Sequence, residues 1–374
     1  MRIAVNAGSF KSHESENELN SVFEIFLQLA ASQPDHTFFF ILDKPFSEKF
    51  NFPANVSPVV IGRKNDSPLK LKVWYNFKIP IALKKHKAGI FISEKIISLK
   101  TKIPQILISP DLAFIYQPSF FNKKSLRYYK KNTKRFFDKA NEIIVNSVFF
   151  KNEIIKRYKI NEEKIKVIYP EISDDFKKLD AEEKELIKEK YAEGNEYFIY
   201  KGIIGPQQNL LNLLKAFSFF KKRQKSKMQL IILGNRGINY EEFIESLRLF
   251  KFNKEVKVLE NLPAAETAKI VASAYAMVDV PVYQNSPLAI LEAMKSGVAA
   301  IVSPVEIFKE FCGDAALFAE PGNYKDIAEK MMQIFKDEQM RTQLIEKANT
   351  RLKAFPDKKD PDILWEIIKN LVTF

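Results

Sequence analysis

Short apolar runs alternate with amphipathic helical segments along the whole chain, and this alternation most restricts how it can fold. Residues 228–233 read Met-Gln-Leu-Ile-Ile-Leu. Continuous apolar runs of this kind are typical of strands that are covered on both faces. Between such runs lie helices such as 209–222, which places Leu210, Leu213 and Phe217 on one face. The alternation predicts an α/β fold with parallel sheets and helices on both sides of each sheet.

The predicted strands fall into two groups separated by a polar, charge-dense stretch. In the first half they are residues 2–7, 37–43, 56–61, 89–93, 105–109, 142–146 and 164–169. In the second half they are residues 197–202, 228–234, 256–259, 277–281 and 299–303. We therefore expect two Rossmann-like domains facing a cleft, with a ligand at the carboxyl ends of the strands.

The same pattern predicts the domain boundaries. The first domain covers residues 1–170, a linker follows at 171–194, and the second domain covers 195–355. The remaining residues, 356–374, form an amphipathic C-terminal helix whose apolar side chains suggest that it packs back on the first domain.

Composition excludes several classes of protein. The single cysteine, Cys312, rules out an internal disulfide, and three scattered histidines argue against a metal cluster, so we expect no metal and no cofactor. No apolar run reaches the roughly 18 residues of a membrane-spanning helix, and residues 1–7 read as a strand and not as a signal peptide. We therefore expect a cytoplasmic protein.

The net charge of +13 favours anionic partners, although a lysine-rich genome explains it equally well. The sequence contains no zinc finger and no aromatic RNA-binding signature, so we expect no nucleic-acid partner.

Several motifs have a recognisable order and spacing. The most informative is residues 284–294, Gln-Asn-Ser-Pro-Leu-Ala-Ile-Leu-Glu-Ala-Met, followed by Gly297 and by Gly-Asp-Ala-Ala at 313–316. The other motifs are residues 106–114, 141–147, 163–169, 200–202 and 206–209. Over nearly its whole length the chain resembles the family-four glycosyltransferases, also called group 1, which have the GT-B fold. The resemblance implies sugar transfer from a nucleotide-sugar with retention of configuration.

The resemblance also implies roles for the donor side. Glu292 matches the family's second glutamate and is expected to hold the ribose hydroxyls, unless it is an ordinary helix-surface glutamate. Gln284 replaces the first glutamate, which contacts the transferred sugar. Ser286 and Leu288 flank Pro287, which has no amide hydrogen to offer a phosphate. From the local pattern we predict Ser286 as the N-cap and Pro287 as the first residue of the helix that follows.

The phosphate-binding positions differ from the family pattern. The family places an arginine and a lysine where this chain has Gln207 and Gln208, and an amide carries no charge to stabilise the leaving diphosphate. Lys201 and Arg236 lie near these positions in sequence and are candidate replacements, although charged residues at strand ends are more often simply solvated.

The acceptor side is altered as well. In the family a histidine precedes the aspartate that Asp111 matches, and here that position is Pro110. Asp111 and Gln284 are the candidate catalytic residues, although Asp111 is equally explained as a loop or cap residue. Gly8 and His13 are the acceptor-side candidates in the loop after the first strand.

Residues 122–140 read as a helix with eight basic residues and one acidic residue, Asp138. A basic amphipathic helix can dock on anionic lipid at the inner membrane face. A lysine-rich solvated face, packed through its aromatic residues against the first sheet, explains the same pattern.

Two functions follow. The first is an enzyme with atypical donor contacts that transfers a hexose from a nucleotide-sugar to a saccharide or lipid-linked acceptor in cell-surface polysaccharide synthesis. The second is a catalytically inactive subunit of the same fold that binds a partner glycosyltransferase. The number of altered positions argues against ordinary family chemistry and keeps both functions open.

Overall fold

The computed structural model describes residues 1–7, 21–46, 51–62, 67–108, 111–205, 208–237, 239–355 and 360–372. The chain divides into two compact units. The first consists of Met1–Glu171 together with Asp357–Phe374, and the second of Ile172–Pro356.

The first unit contains a seven-stranded parallel sheet in the order β3-β2-β1-β4-β5-β6-β7. Its strands are β1 (Arg2–Asn6), β2 (Thr37–Leu42), β3 (Val56–Val60), β4 (Ile90–Glu94), β5 (Gln105–Ile108), β6 (Glu142–Val145) and β7 (Ile165–Val167). Its helices before residue 172 are α1 (Ser21–Ser32), α2 (Pro68–Val73), α3 (Ile79–Lys85), α4 (Ala113–Tyr116), α5 (Lys123–Lys139) and α6 (Val148–Tyr158). A π-helical turn, Trp74–Lys78, joins α2 to α3.

The second unit contains a six-stranded parallel sheet in the order β10-β9-β8-β11-β12-β13. Its strands are β8 (Tyr197–Lys201), β9 (Gln229–Leu233), β10 (Val256–Leu259), β11 (Ala276–Asp279), β12 (Ala299–Val302) and β13 (Ala316–Phe318). Its helices are α7 (Ala181–Ala192), α8 (Leu210–Gln224), α9 (Tyr240–Arg248), α10 (Ala264–Ala272), α11 (Leu288–Lys295), α12 (Glu306–Cys312), α13 (Tyr324–Lys336) and α14 (Glu338–Leu352).

The final helix, α15 (Asp360–Val372), belongs to the first unit. It packs against α1 and buries Leu364, Ile367 and Ile368 in the same apolar cluster as β1 and β2. The predicted return of the C-terminal helix to the first domain is therefore confirmed.

All twelve predicted strands are present within a few residues, and both sheets are parallel as predicted. The strand that the sequence did not reveal is β13, which has three residues and lies at the edge of the second sheet. None of the helices within the described ranges is long and apolar enough to cross a membrane.

Candidate functional site

In the second sheet the strand order reverses between β8 and β11, which is where parallel α/β sheets bind ligands. Lys201 is the last residue of β8, and Glu292 lies in α11, the helix that follows β11. Lys201 Nζ lies 2.5 Å from Glu292 Oε2. The sequence predicted that Glu292 holds the ribose of a donor and that Lys201 is a candidate for its diphosphate. The structure shows that the two side chains form an ion pair with each other.

Glu292 lies on the inner side of α11, next to the buried residues Leu291 and Ala293. It is 5% exposed, so its interpretation as a helix-surface glutamate is wrong. Burial raises the pKa of its carboxyl group, and the charge of Lys201 opposes that rise. On the Lys201 side, the ammonium lies over the ring of Phe176, 5.4 Å from its centre. The result is a charged pair held at the carboxyl edge of the sheet in a largely apolar setting.

The side chain of Gln284 forms hydrogen bonds both to the last residue of β11 and to the loop before α11. Its side-chain amide donates a hydrogen bond to the carboxyl of Asp279, the last residue of β11. Its Oε1 accepts from the backbone amides of Asn285 at 3.0 Å and Ser286 at 3.4 Å. Both ends of the Gln284 side chain are thus engaged within the protein.

Asp279 is 1% exposed, and its Oδ1 has no hydrogen-bond partner among the residues described. Burial raises its pKa to about 7, against the hydrogen bond from Gln284, which lowers it. Sequence reasoning missed this residue, because Asp279 reads as one more residue of the strand predicted at 277–281. The amide at position 284, where the resemblance implies a carboxylate, thus contacts a buried carboxyl group of the protein.

The start of α11 differs from the prediction by one residue. The helix begins at Leu288, and Pro287 takes the N-cap position, where its carbonyl accepts the first helical bond from Leu291 at 3.0 Å. Ser286 Oγ still accepts from the Leu288 amide, at 3.4 Å. The Leu288 amide finds its hydrogen-bond acceptor in Ser286 Oγ, and Pro287 has no amide hydrogen that needs an acceptor. Both residues can therefore precede the first helical residue. Gly297 follows the C-cap residue Ser296 with φ +72°, the left-handed conformation in which glycine commonly ends a helix.

Arg236 is held by acidic neighbours. Its Nε lies 2.6 Å from Glu260, its guanidinium lies 3.6 Å from Glu241, and it stacks over the ring of Tyr240 at 4.6 Å. Its backbone pairs with Ile204, three residues after Lys201, so the loops after β8 and β9 adjoin. The Arg236 side chain is 62% exposed, and its guanidinium has N–H donors besides the Nε that bonds Glu260.

The ends of β8 and β9 approach each other through two glycines. A Cβ atom on Gly234 would lie 1.7 Å from the carbonyl oxygen of Gly202, and Gly234 has φ +153°. Only glycine allows this close approach of the two backbones.

The start of α8 is fixed by asparagine. Asn209 has φ +60°, and its side chain donates to the carbonyls of Val280 and Pro321, each at 2.8 Å. The neighbouring Gln208 donates its backbone amide to Gly205, and its Oε1 is buried with no partner in the described part of the chain. Gln207 lies outside the described residues.

In the first unit Asp111 accepts a hydrogen bond from the Ala113 amide at 2.7 Å, at the start of α4. The contact is that of a loop residue just before α4, whose N-cap residue is Leu112. An ion pair of 3.2 Å between Glu94 and Lys95, at the end of β4, was not found from the sequence. Gly8 and His13 lie outside the described residues.

Comparison with known proteins finds a family match within the second unit. Residues 182–351 match the family described as "Glycosyl transferases group 1", and this match covers nearly all of the second unit. Residues 182–351 thus carry the similarity of this chain to the group 1 glycosyl transferases. The resemblance predicted from the motifs is confirmed.

Two curated proteins that are similar to this chain are O-antigen chain mannosyltransferases. Mannosyltransferase B from Escherichia coli is 26% identical over 232 residues, which are 62% of this chain and 61% of that protein. RfbU from Salmonella typhimurium is 24% identical over 289 residues, or 75% of this chain and 76% of that protein.

Solved structures show the GT-B fold over the whole chain. WaaG, described as a glycosyltransferase involved in lipopolysaccharide biosynthesis, has a TM-score of 0.75 with 14% identity and covers 98% of this chain and 99% of its own. Sucrose-phosphate synthase from Thermosynechococcus elongatus has a TM-score of 0.80 with 12% identity, at 100% and 99% coverage. HepE from Anabaena, solved with UDP and glucose, has a TM-score of 0.73 with 16% identity and full coverage of both chains. At these identities the likeness concerns the fold alone, and the predicted fold class is confirmed.

Proposed function

We propose that the protein transfers a hexose from a nucleotide-sugar to a saccharide or lipid-linked acceptor in the synthesis of a cell-surface polysaccharide. Support comes from the family of the second unit and from the two relatives, whose names assign mannosyl transfer to O-antigen chains. The solved complexes of HepE with UDP and with UDP-glucose support a nucleotide-sugar as the donor.

The observation that carries the proposal is the ion pair between Lys201 and Glu292. Removing two charges from water costs free energy, and apolar residues often fill such a place at no loss of stability. A pair kept at the strand-order reversal is explained by a ligand that uses both charges. The hydroxyls of a ribose donate to the Glu292 carboxylate, and the diphosphate accepts from the Lys201 ammonium.

In the reaction, the bond between the anomeric carbon and the diphosphate oxygen breaks, and a bond to the acceptor oxygen forms on the same face of the sugar. The nucleoside diphosphate leaves with the bonding electrons, and its oxygen accepts the proton of the acceptor hydroxyl. Lys201 stabilises the charge that develops on the leaving group. Gln284 contacts the sugar hydroxyls only if it gives up its bonds to the loop amides.

Donor binding is tested by thermal unfolding with a panel of nucleotide-sugars that includes UDP-glucose and GDP-mannose. A donor at a hundred times its dissociation constant stabilises the native state by about 2.7 kcal/mol. We expect one donor to raise the melting temperature, and Glu292→Gln to abolish the rise. Glu329→Gln, on an exposed face of α13, is the matched control and should keep it. Absence of a shift with every donor contradicts the proposal.

A second function, a non-catalytic subunit that binds a partner glycosyltransferase, is favoured by one specific observation. Gln284, Asp111 and Arg236 are all engaged by neighbouring groups of the protein. This function predicts no sugar transfer by the purified protein and a complex with an active transferase. A hexosylated acceptor, detected by mass spectrometry after incubation with a donor, excludes it.

A further inference from the structure

An apolar stripe faces solvent on the helical segment formed by α2, the π-helical turn and α3. The stripe consists of Leu69, Val73, Phe77 and Ile81, which are 72%, 41%, 55% and 69% exposed. The other side of the same segment is buried in the first unit through Leu71, Trp74, Tyr75, Ile79, Ala82 and Leu83. The segment is therefore apolar on two opposite sides, of which the unit covers only one.

The π-helical turn keeps the stripe in line. A residue four positions along an α-helix lies about 40° beyond a full turn, whereas in the wider π-helical turn it falls short of one. Because Trp74–Lys78 is π-helical between two α-helical stretches, the two deviations oppose each other. Side chains four residues apart thus remain on one side of the segment.

All charged side chains of the segment that carries the stripe are positive. Residues 67–93 contain six lysines and no aspartate or glutamate. Lys70, Lys72, Lys84 and Lys85 are exposed. Contiguous exposed apolar side chains mark interaction sites, and a rim of one sign selects a partner of the opposite sign.

The neighbouring helix α5 extends the positive surface. α2 packs beside α5, and Tyr75 lies close enough to Tyr128 to raise its pKa further after the larger effect of burial. Seven cations of α5 are exposed: Lys123, Lys124, Arg127, Lys130, Lys131, Lys134 and Arg135. The phenylalanines of α5, Phe136 and Phe137, are buried. Helix α5 thus exposes positive charge, whereas its phenylalanines are buried. The exposed apolar side chains next to it belong to the stripe.

We propose that the stripe docks the first unit on an anionic phospholipid bilayer. Phe77 and Ile81 enter the boundary between headgroups and acyl chains, and the surrounding lysines together with α5 contact lipid phosphates. The sequence placed this surface on residues 122–140; the structure assigns the inserting side chains to residues 69–81. A docked first unit places a lipid-linked acceptor at the same membrane, although the docking itself needs no sugar transfer.

Binding is measured by co-sedimentation of the full chain with two kinds of vesicle, phosphatidylcholine alone and phosphatidylcholine with phosphatidylglycerol. We expect binding to the anionic vesicles only. The double variant Phe77→Ser/Ile81→Ser should lower the partition coefficient about tenfold, because both side chains lose their apolar contact with lipid. The matched control is Leu186→Ser/Leu249→Ser, which removes two exposed apolar side chains from the second unit, at 66% and 87% exposure, and should bind as the unmodified protein does.

A spectroscopic reading separates insertion from simple charge attraction. Phe77→Trp reports the position of the stripe, and brominated acyl chains should quench its emission on anionic vesicles. When Lys84→Glu/Lys85→Glu is added to the Phe77→Trp protein, binding to the anionic vesicles should weaken. The tryptophan fluorescence in the absence of vesicles should stay unchanged. Equal binding by the serine and control variants, or no quenching of Trp emission, overturns the proposal. A dimer in solution that dissociates in the serine variant assigns the stripe to a second copy and overturns it as well.

Discussion

Lys201 and Glu292 are 91 positions apart in the chain, and their side chains meet at 2.5 Å. The two partners are unequally buried, with side-chain exposures of 22% for the lysine and 7% for the glutamate. Removing one partner of such a pair leaves the other without compensation, and the cost grows with the burial of the group that remains.

Lys201→Met is therefore expected to destabilise the protein more than Glu292→Gln. The lysine variant leaves a buried carboxylate and should cost about 3 kcal/mol, whereas the glutamine variant leaves a lysine that still reaches water and should cost about 1 kcal/mol. Urea unfolding of the two single variants and of the double variant measures both values and their coupling. If the costs prove additive, the contact does not contribute to stability.

Asp279→Asn should change how stability depends on pH. The folded-state pKa of about 7 lies above the value of about 3.9 for an unfolded chain, so the folded protein binds the extra proton between these values. The contribution of Asp279 to stability is then complete below pH 4 and is lost as the pH rises to 7, with a limiting slope of about 1.4 kcal/mol per pH unit. Relative to the unmodified protein, the asparagine variant should gain stability over this interval.

Asp314→Asn provides the contrast for that experiment. Asp314 is exposed, and a hydrogen bond with Lys347 lowers its pKa, so its contribution has the opposite sign and is lost as the pH falls. A pH profile for Asp279→Asn that runs parallel to that of the unmodified protein would show that Asp279 does not titrate in this interval.

Gln284→Glu, which places at position 284 the carboxylate that the resemblance implies, should destabilise the protein at pH 8. Two carboxyl groups would then share the hydrogen bond between positions 279 and 284, and both cannot be ionised there without repulsion. We expect a loss on the order of 2 kcal/mol that shrinks at pH 5. The double variant Asp279→Asn/Gln284→Glu should recover most of this loss in thermal unfolding at both pH values. No recovery would place the defect in the loop amides of Asn285 and Ser286.

Gly234→Ala should cost about 3 kcal/mol or prevent folding, since its Cβ would overlap the carbonyl of Gly202 and its φ of +153° is unfavourable for alanine. Gly322→Ala is the control, because a Cβ there meets no atom within 4 Å. Its stability should lie within about 0.5 kcal/mol of the unmodified protein. Circular dichroism during thermal unfolding compares the two, and equal melting temperatures contradict the close approach of β8 and β9.

The fold could be predicted because buried parallel strands carry their signal locally, in runs of apolar residues such as 228–233. Strand β13 escaped because its three residues, Ala316–Phe318, form an edge strand too short to show a pattern. The start of α11 lies one residue later than predicted: Ser286 Oγ accepts from the Leu288 amide, and the Pro287 carbonyl accepts the first helical bond.

The candidate site was only partly predictable. The motif indicated Glu292, but its burial and its contact with Lys201 depend on two elements brought together by the sheet. Asp279 carried no motif at all, and its contact with Gln284 depends on the conformation of the loop that follows β11. Contacts between distant strands leave no periodic trace in a single sequence.

The return of α15 to the first unit makes that unit discontinuous in the chain. The ribosome synthesises residues 172–356 before the helix that covers part of the apolar cluster around Phe23 and Phe26. Until α15 is synthesised, Leu364, Ile367 and Ile368 are absent from that cluster. Part of the apolar surface of the first unit therefore stays exposed to solvent during this time. Although its residues are made first, the first unit is the one completed last, and the second unit, continuous in sequence, can complete its core before it.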